Sequence, residues 1–260
     1  MTTAVEVAAY GRSVDDLATL ALRDVQALLS AFGDSDPVEV RNGLLLALPE
    51  VISPYLTASG DLAATWYEDL RAAAVGGSFY AKSSGVVNDA HIESLVRWGV
   101  KPLFGQGSSS VLSLVGGGVQ RMVANAGRDT IFDNVMADRV RVGYARIPRA
   151  GCCAFCSMLA SRGAVYNSAE SAGGVVGRGV DAAATAGKRG GQGKGVKARG
   201  ARSLGSREYH DFCRCRAAPV FAGDTFHKEV EEKHLALYPG TGGGSTKEVL
   251  AQMRAENGTR

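Results

Sequence analysis

No cysteine occurs in the first 151 residues of this 260-residue chain, and there are only five in all. An odd count cannot form a fully paired disulfide framework. No apolar run approaches 18 residues without a charge, so no transmembrane helix and no membrane partner are expected. The stretch from Met1 to Tyr10 has neither a basic n-region nor an apolar h-region, so no secretory signal is expected and the thiols are read as belonging to a reducing compartment. Internal repeats are absent. So is Gly-x-Ser-x-Gly, the elbow of serine hydrolases. Gly105-Gln106-Gly107 and the glycines of 190–195 lack a trailing Lys-Ser/Thr and a strand–turn–helix setting, which excludes phosphate loops.

The cysteines that are present form two clusters: Cys152, Cys153 and Cys156, then Cys213 and Cys215 with His210 just ahead. Cys153-x-x-Cys156 has the spacing of a metal knuckle, because two intervening residues let the chain turn back so that both thiolates face one ion. Cys213 and Cys215 are two apart, and in an extended segment both side chains leave from the same face. Cys153, Cys156, His210, Cys213 and Cys215 are therefore the candidate ligands of a structural zinc. They outnumber the four positions of a tetrahedral ion, so no open catalytic position is expected. Two alternatives stand beside zinc. One is a disulfide pair; the other is a reactive thiol at Cys156, at the start of a helix over 155–162 whose dipole would lower its pKa.

Charge is unevenly spread. Residues 1–137 carry 9 basic and 15 acidic side chains, a balance of −6; residues 138–225 carry 15 and 6, a balance of +9; residues 226–260 are even. The second segment is expected to meet something anionic or an acidic protein surface.

Helical periodicity dominates the first half. Ser13 is read as an N-cap ahead of Leu17, Leu20, Leu22, Val25, Leu28 and Leu29. Gly33 to Pro37 breaks the chain, and a second helix runs through Leu48 to a stop or kink at Pro49. Further helices are expected over 61–74, 89–98 and 112–135, the last weakened by Gly116-Gly117-Gly118. At 138 the pattern changes. Residues 139–148 alternate basic and apolar, which suits a half-buried strand presenting Arg139, Arg141 and Arg146 outward, for contact with an ordered protein surface. Residues 213–221 read as a second strand held at an edge, or ended, by Pro219. Residues 226–238 and 247–255 read as short helices.

Residues 173–206 form a glycine- and alanine-rich insert too poor in apolar surface to fold alone. Arg178, Lys188, Arg189, Lys194, Lys197, Arg199 and Arg202 stand there against one acid, Asp181, with no aromatic to stack on bases. It reads as a solvated loop or as an arm. As an arm, Lys188, Arg189, Lys194, Lys197, Arg199 and Arg202 would make non-specific phosphate contacts to double-stranded DNA. The fold class is thus α+β: a helical body (1–137), a small zinc-stapled α+β module (138–225) carrying the insert, and a tail (226–260) with short helices.

Two catalytic readings are weaker. His91-Ile92-Glu93 ahead of Cys153-x-x-Cys156 imitates a zinc deaminase signature, but the gap is long and Cys213 and Cys215 are left without a role. A protease with Cys156 as nucleophile and His210 as base lacks an evident oxyanion site. Neither reading makes an enzyme the leading expectation.

Residues 141–221 resemble the MuF-like minor head proteins of actinobacterial phages, often labelled capsid maturation proteases. The resemblance rests on Ala145-Arg146-Ile147-Pro148, on Cys153 to Gly163, on Tyr209-His210-Asp211-Phe212-Cys213-Arg214-Cys215 and on Pro219-Val220-Phe221. It implies a minor capsid protein of the phage head, assembled in the bacterial cytoplasm and present in few copies at the portal vertex and head interior. Portal protein, major capsid protein and packaged DNA would be its partners, and maturation protease is the alternative activity. Here His210-Asp211-Phe212-Cys213 replaces the family's usual His-Pro-x-Cys, which loses a rigid turn and leaves His210 and Cys215 as alternative fourth ligands. The toxin or transferase domains of some relatives are not expected in the 35 residues from Phe226 onward.

Overall fold

The computed structural model describes residues 2–149, 151–164, 213–237 and 246–257. Helix α1 (Ala4–Ala31) starts from a capping box: the Thr3 hydroxyl accepts the Glu6 N–H, and the Glu6 carboxylate accepts the Thr3 N–H. Ser13, expected as the cap, lies inside α1 with its hydroxyl donating to the Ala9 carbonyl. The stronger signal, Thr3 followed three residues later by Glu6, sits 14 residues ahead of Leu17, the first leucine of the periodic run.

Asp36 caps α2 (Pro37–Val75), accepting the N–H groups of Val38 and Glu39. This helix passes through Pro49 and Pro54 and absorbs the separate helix expected over 61–74. Each proline removes a ladder hydrogen bond. The uninterrupted buried stripe Val40, Leu44, Leu48, Ile52, Leu56, Ala63, Tyr67 and Leu70 offsets that loss, because the helix must continue to keep it in the core. Helix α3 (Asp89–Gly99) leads through a single 3-10 turn to α4 (Val111–Ala137). Gly116, Gly117 and Gly118 lie buried within α4. A Cβ at Gly116 would come within 2.4 Å of Leu22, and one at Gly118 within 2.3 Å of Leu95. Two of the glycines that weaken α4 intrinsically, Gly116 and Gly118, are positions where α1 and α3 approach it.

Helices α1, α2, α3 and α4 enclose one apolar cluster around Val25, Leu44, Leu48, Ile52, Val96 and Val119. A second cluster joins Tyr10, Tyr67 and Ile131 of these helices to Tyr144, Ala217 and Phe221. Apolar packing therefore runs continuously across the 137/138 boundary. Arg71 adds a polar tie there, donating to Asp138 at 2.7 Å. Burial opposes ionisation of Asp138, but hydrogen bonds from Arg71, the Val140 N–H and Tyr67 outweigh it and hold the carboxyl below its ordinary range.

Strands β1 (Gly143–Ile147) and β2 (Arg216–Val220) pair antiparallel, with Ala145 opposite Ala218 and Pro219 opposite Tyr144. In a two-stranded sheet each strand has a free edge, which is where proline is tolerated. Both strands are shorter than the sequence suggests. The outward placement of the arginines also needs correcting. Arg139 and Arg141 are exposed ahead of the strand, but Arg146 is buried. The reason is that β1 is covered on two sides, packing against α4 and against the short helix α5 (Ala154–Ala160), so alternation no longer separates core from solvent. Helices α6 (Phe226–Ala236) and α7 (Thr246–Asn257) pack on α5, where Met158, Leu159 and Met253 form a small cluster.

Candidate metal centre

Cys153 is the N-cap of α5, in an extended conformation, and its Sγ accepts the backbone N–H of Cys156 at 3.5 Å. That bond closes the knuckle and places Cys156 one turn into the helix. Cys213 and Cys215 lie just ahead of β2, which pairs with the strand leading into the knuckle. The Sγ atoms of Cys156, Cys213 and Cys215 all lie within 4.8 Å of one another, with Cys156 and Cys213 at 3.6 Å. Four sulfurs about 2.3 Å from a tetrahedral ion stand about 3.8 Å apart. The spacing fits metal ligation and is far longer than a disulfide bond of about 2.05 Å. Cys153 is outside this tightest group but packs against it and hydrogen-bonds Cys156. Cys152 also packs on the cluster.

Cys156, Cys213 and Cys215 are 0%, 5% and 3% exposed. Crowded thiols share protons unequally. Hydrogen bonds from Cys156 and Cys215 pull Cys213 down to about 2, helped by the nearby Arg128 charge, against the effect of burial. Hydrogen bonds with Cys153, Cys213 and Cys215, then burial, push Cys156 up. At Cys215 the hydrogen bond with Cys156 favours the thiolate, but the bond and charge of Cys213 together with burial push the thiol up to about 12. The three sulfurs thus compete for their protons. An entering cation would displace the remaining protons, so soft donors in a dry, preformed cluster suit a thiophilic metal ion. Cys156 does not have the lowered pKa expected of a helix N-terminus, and its sulfur is inaccessible. Both facts weigh against the nucleophile reading.

Sequence reasoning missed the residue that organises this site. Arg128 of α4 is 3% exposed. Its guanidinium donates to the Cys213 carbonyl at 2.7 Å, to the Cys215 carbonyl at 2.7 and 3.0 Å, and to Asn125 at 2.7 Å. The helical body therefore holds the backbone of the second cysteine pair directly. A sequence signal existed: Arg128 stands in line with Ala124, Ile131 and Val135 on the buried face of α4, where a charge needs a partner. Arg146 approaches from the other side, its guanidinium 3.8 Å from the Cys156 sulfur. Arg216, beside Cys215, donates to the Gly11 carbonyl at 2.6 Å and to Asp15 at 2.7 Å.

His210 and the insert cations Lys188, Arg189, Lys194, Lys197, Arg199 and Arg202 lie outside the described residues. His91 is exposed on α3, Glu93 pairs with Arg97 at 2.8 Å, and neither belongs to the cysteine group.

No helix among the described residues is long and apolar enough to cross a membrane. No curated protein and no solved structure matches the chain. A family model does: the VG15 protein model matches residues 1–238, spanning both the helical body and the cysteine module. The match covers most of the chain, which belongs to the VG15 protein family, a family of viral gene products, and is a phage protein.

Proposed function

We propose that this phage protein is a MuF-like minor head protein: a structural component of the head at the portal vertex, with its second half stapled by zinc. One observation carries the structural rather than catalytic reading. The sulfurs of Cys156, Cys213 and Cys215 are buried and backed by a charged side chain of the helical body, which is the closed arrangement of a structural site. Cys153 would complete a four-sulfur set, with His210 the competing ligand. The VG15 family match supports the viral setting, and the cysteine motifs support the MuF-like one. Portal and major capsid proteins would be its neighbours. Purified virions tested by mass spectrometry and electron-microscopic labelling should contain the chain in the head at low copy, and the isolated protein should carry about one zinc per chain. Virions without the chain would overturn the assignment, as would protein purified under reducing conditions with well under one equivalent of zinc.

The insert would contact packaged DNA through Lys188, Arg189, Lys194, Lys197, Arg199 and Arg202. Such contacts are sequence-blind, and each neutralised phosphate steepens the salt dependence by roughly 0.9 in log–log slope. Deleting residues 173–206 should lower both affinity for duplex DNA and that slope, leaving zinc content unchanged. An unaltered slope would remove the insert from the DNA contact.

A further inference from the structure

Between α1, the end of β1, the start of β2 and the first turns of α6 lies a cavity of about 330 Å³. That volume is at the lower end of the range for ligand sites. Its apolar lining comes from Val7, Ala8, Ile147, Pro148, Phe226 and Val230, and its charged lining from Arg12, Arg149, Arg214 and Arg216 against Asp15 alone. Arg216 and Asp15 neutralise each other at 2.7 Å, and Arg149 approaches the same carboxylate only to 3.9 Å with half its side chain exposed. Arg12 is exposed and Arg214 half-buried, and neither has an ion-pair partner among the described residues. The Thr225 cap makes no side-chain hydrogen bond at the start of α6, so that helix terminus adds partial positive charge beside Phe226. The pocket therefore pairs an apolar floor with a surplus of guanidinium groups at its mouth.

We propose that this pocket docks a short acidic segment of a partner protein. One or two carboxylates would be held by Arg12, Arg149 and Arg214, and an adjacent large apolar side chain would rest on Val7, Ile147 and Phe226. Guanidinium forks suit carboxylates, and only an occupant with an apolar side chain would use the floor. A nucleic-acid backbone satisfies the first condition and not the second. The chain's own insert carries seven basic residues against one acidic residue, the wrong sign to fill the pocket. The proposal is independent of the metal reading, since none of the three arginines contributes a sulfur or a contact to one through its side chain.

The test is selection of a displayed random-peptide library against the full-length, zinc-supplemented protein, with an Arg12→Ala/Arg149→Ala variant selected in parallel. Both side chains reach solvent, so circular dichroism and zinc content should match wild type. Peptides enriched on wild type should place Asp or Glu beside Leu, Phe or Met. A synthetic copy should bind the variant at least about tenfold more weakly, lose affinity with added salt, and resist displacement by duplex DNA. The proposal fails if selection yields no enrichment or basic peptides, if the variant binds equally well, or if duplex DNA displaces the peptide. Reversible self-association abolished by the same substitutions would also overturn it, because the occupant would then be a second copy of this chain. None of these failures bears on zinc content or virion location.

Discussion

A Cys213→Ser protein should purify with almost no bound zinc and melt on the order of 10 °C below wild type, with the damage confined to one half of the molecule. Structural zinc contributes about 10–16 kcal/mol in isolated zinc-finger peptides, which have almost no other core. Here Tyr144, Ala217 and Phe221 are already packed with Tyr67 and Ile131, so part of the module stays attached without metal and the loss should be several kcal/mol. Stringent chelation of wild type should reproduce the effect. Hydrogen exchange should then accelerate in α5, α6, α7 and the strand ends, because α6 and α7 pack mainly on the knuckle helix. The cluster around Leu48, Ile52 and Val119 should keep its protection, and most far-ultraviolet helical signal should remain. Unchanged exchange and melting after complete zinc removal would show that the sulfurs do not staple the fold.

Arg128→Ala should be the most damaging substitution that touches no sulfur. Removing the guanidinium leaves the buried carbonyls of Cys213 and Cys215 without the donor that now reaches them at 2.7 Å, and opens a void beside α4. Each orphaned carbonyl costs about 1–3 kcal/mol, which puts the total at about 3–5 kcal/mol in urea unfolding. A purely structural prop would stop there. Because Arg128 fixes the backbone of two ligand candidates, zinc affinity measured by chelator competition should also fall by about 10- to 100-fold. Arg128→Lys separates the two effects: a single ammonium keeps the charge but lacks the fork that spans both carbonyls, so zinc affinity should recover only in part. Zinc affinity within twofold of wild type in Arg128→Ala would reduce the residue to a packing role.

Much of this was legible from spacing alone. The breaks at Gly33–Pro37 and around residue 138, the helices over 89–98 and 112–135, the two strands and the convergence of Cys156 with Cys213 and Cys215 all follow from periodicity and local turn chemistry. What escaped was decided by packing between distant segments. Pro49 reads as a stop or kink because a single sequence shows the lost hydrogen bond but not the buried stripe that outweighs it. Arg146 read as outward because alternation assumes one covered face, and β1 has two. The 4-residue pairing of Thr3 and Glu6 was local and readable, but a leucine-rich run downstream drew the boundary inward. Arg128 needed a partner, and nothing in α4 itself says that the partner lies 85 and 87 residues later.

The Thr2 backbone N–H and hydroxyl both bond Asp224, 222 residues away, and Asp15 meets Arg216 across 201. On a ribosome adding about 5–20 residues per second, Thr2 waits roughly 10–45 s for that partner. Throughout that interval the face of α1 that carries Tyr10 and Gly11 has no sheet to cover it. The first cysteine cluster likewise emerges well before the second, so a metal ion captured early could be held by only half its sulfurs. Closure of the fold is thus a late event, timed by the arrival of a few residues between Cys213 and Asp224. A nascent chain halted before that point would present an apolar helix surface and reactive thiols together, the state most in need of protection by chaperones.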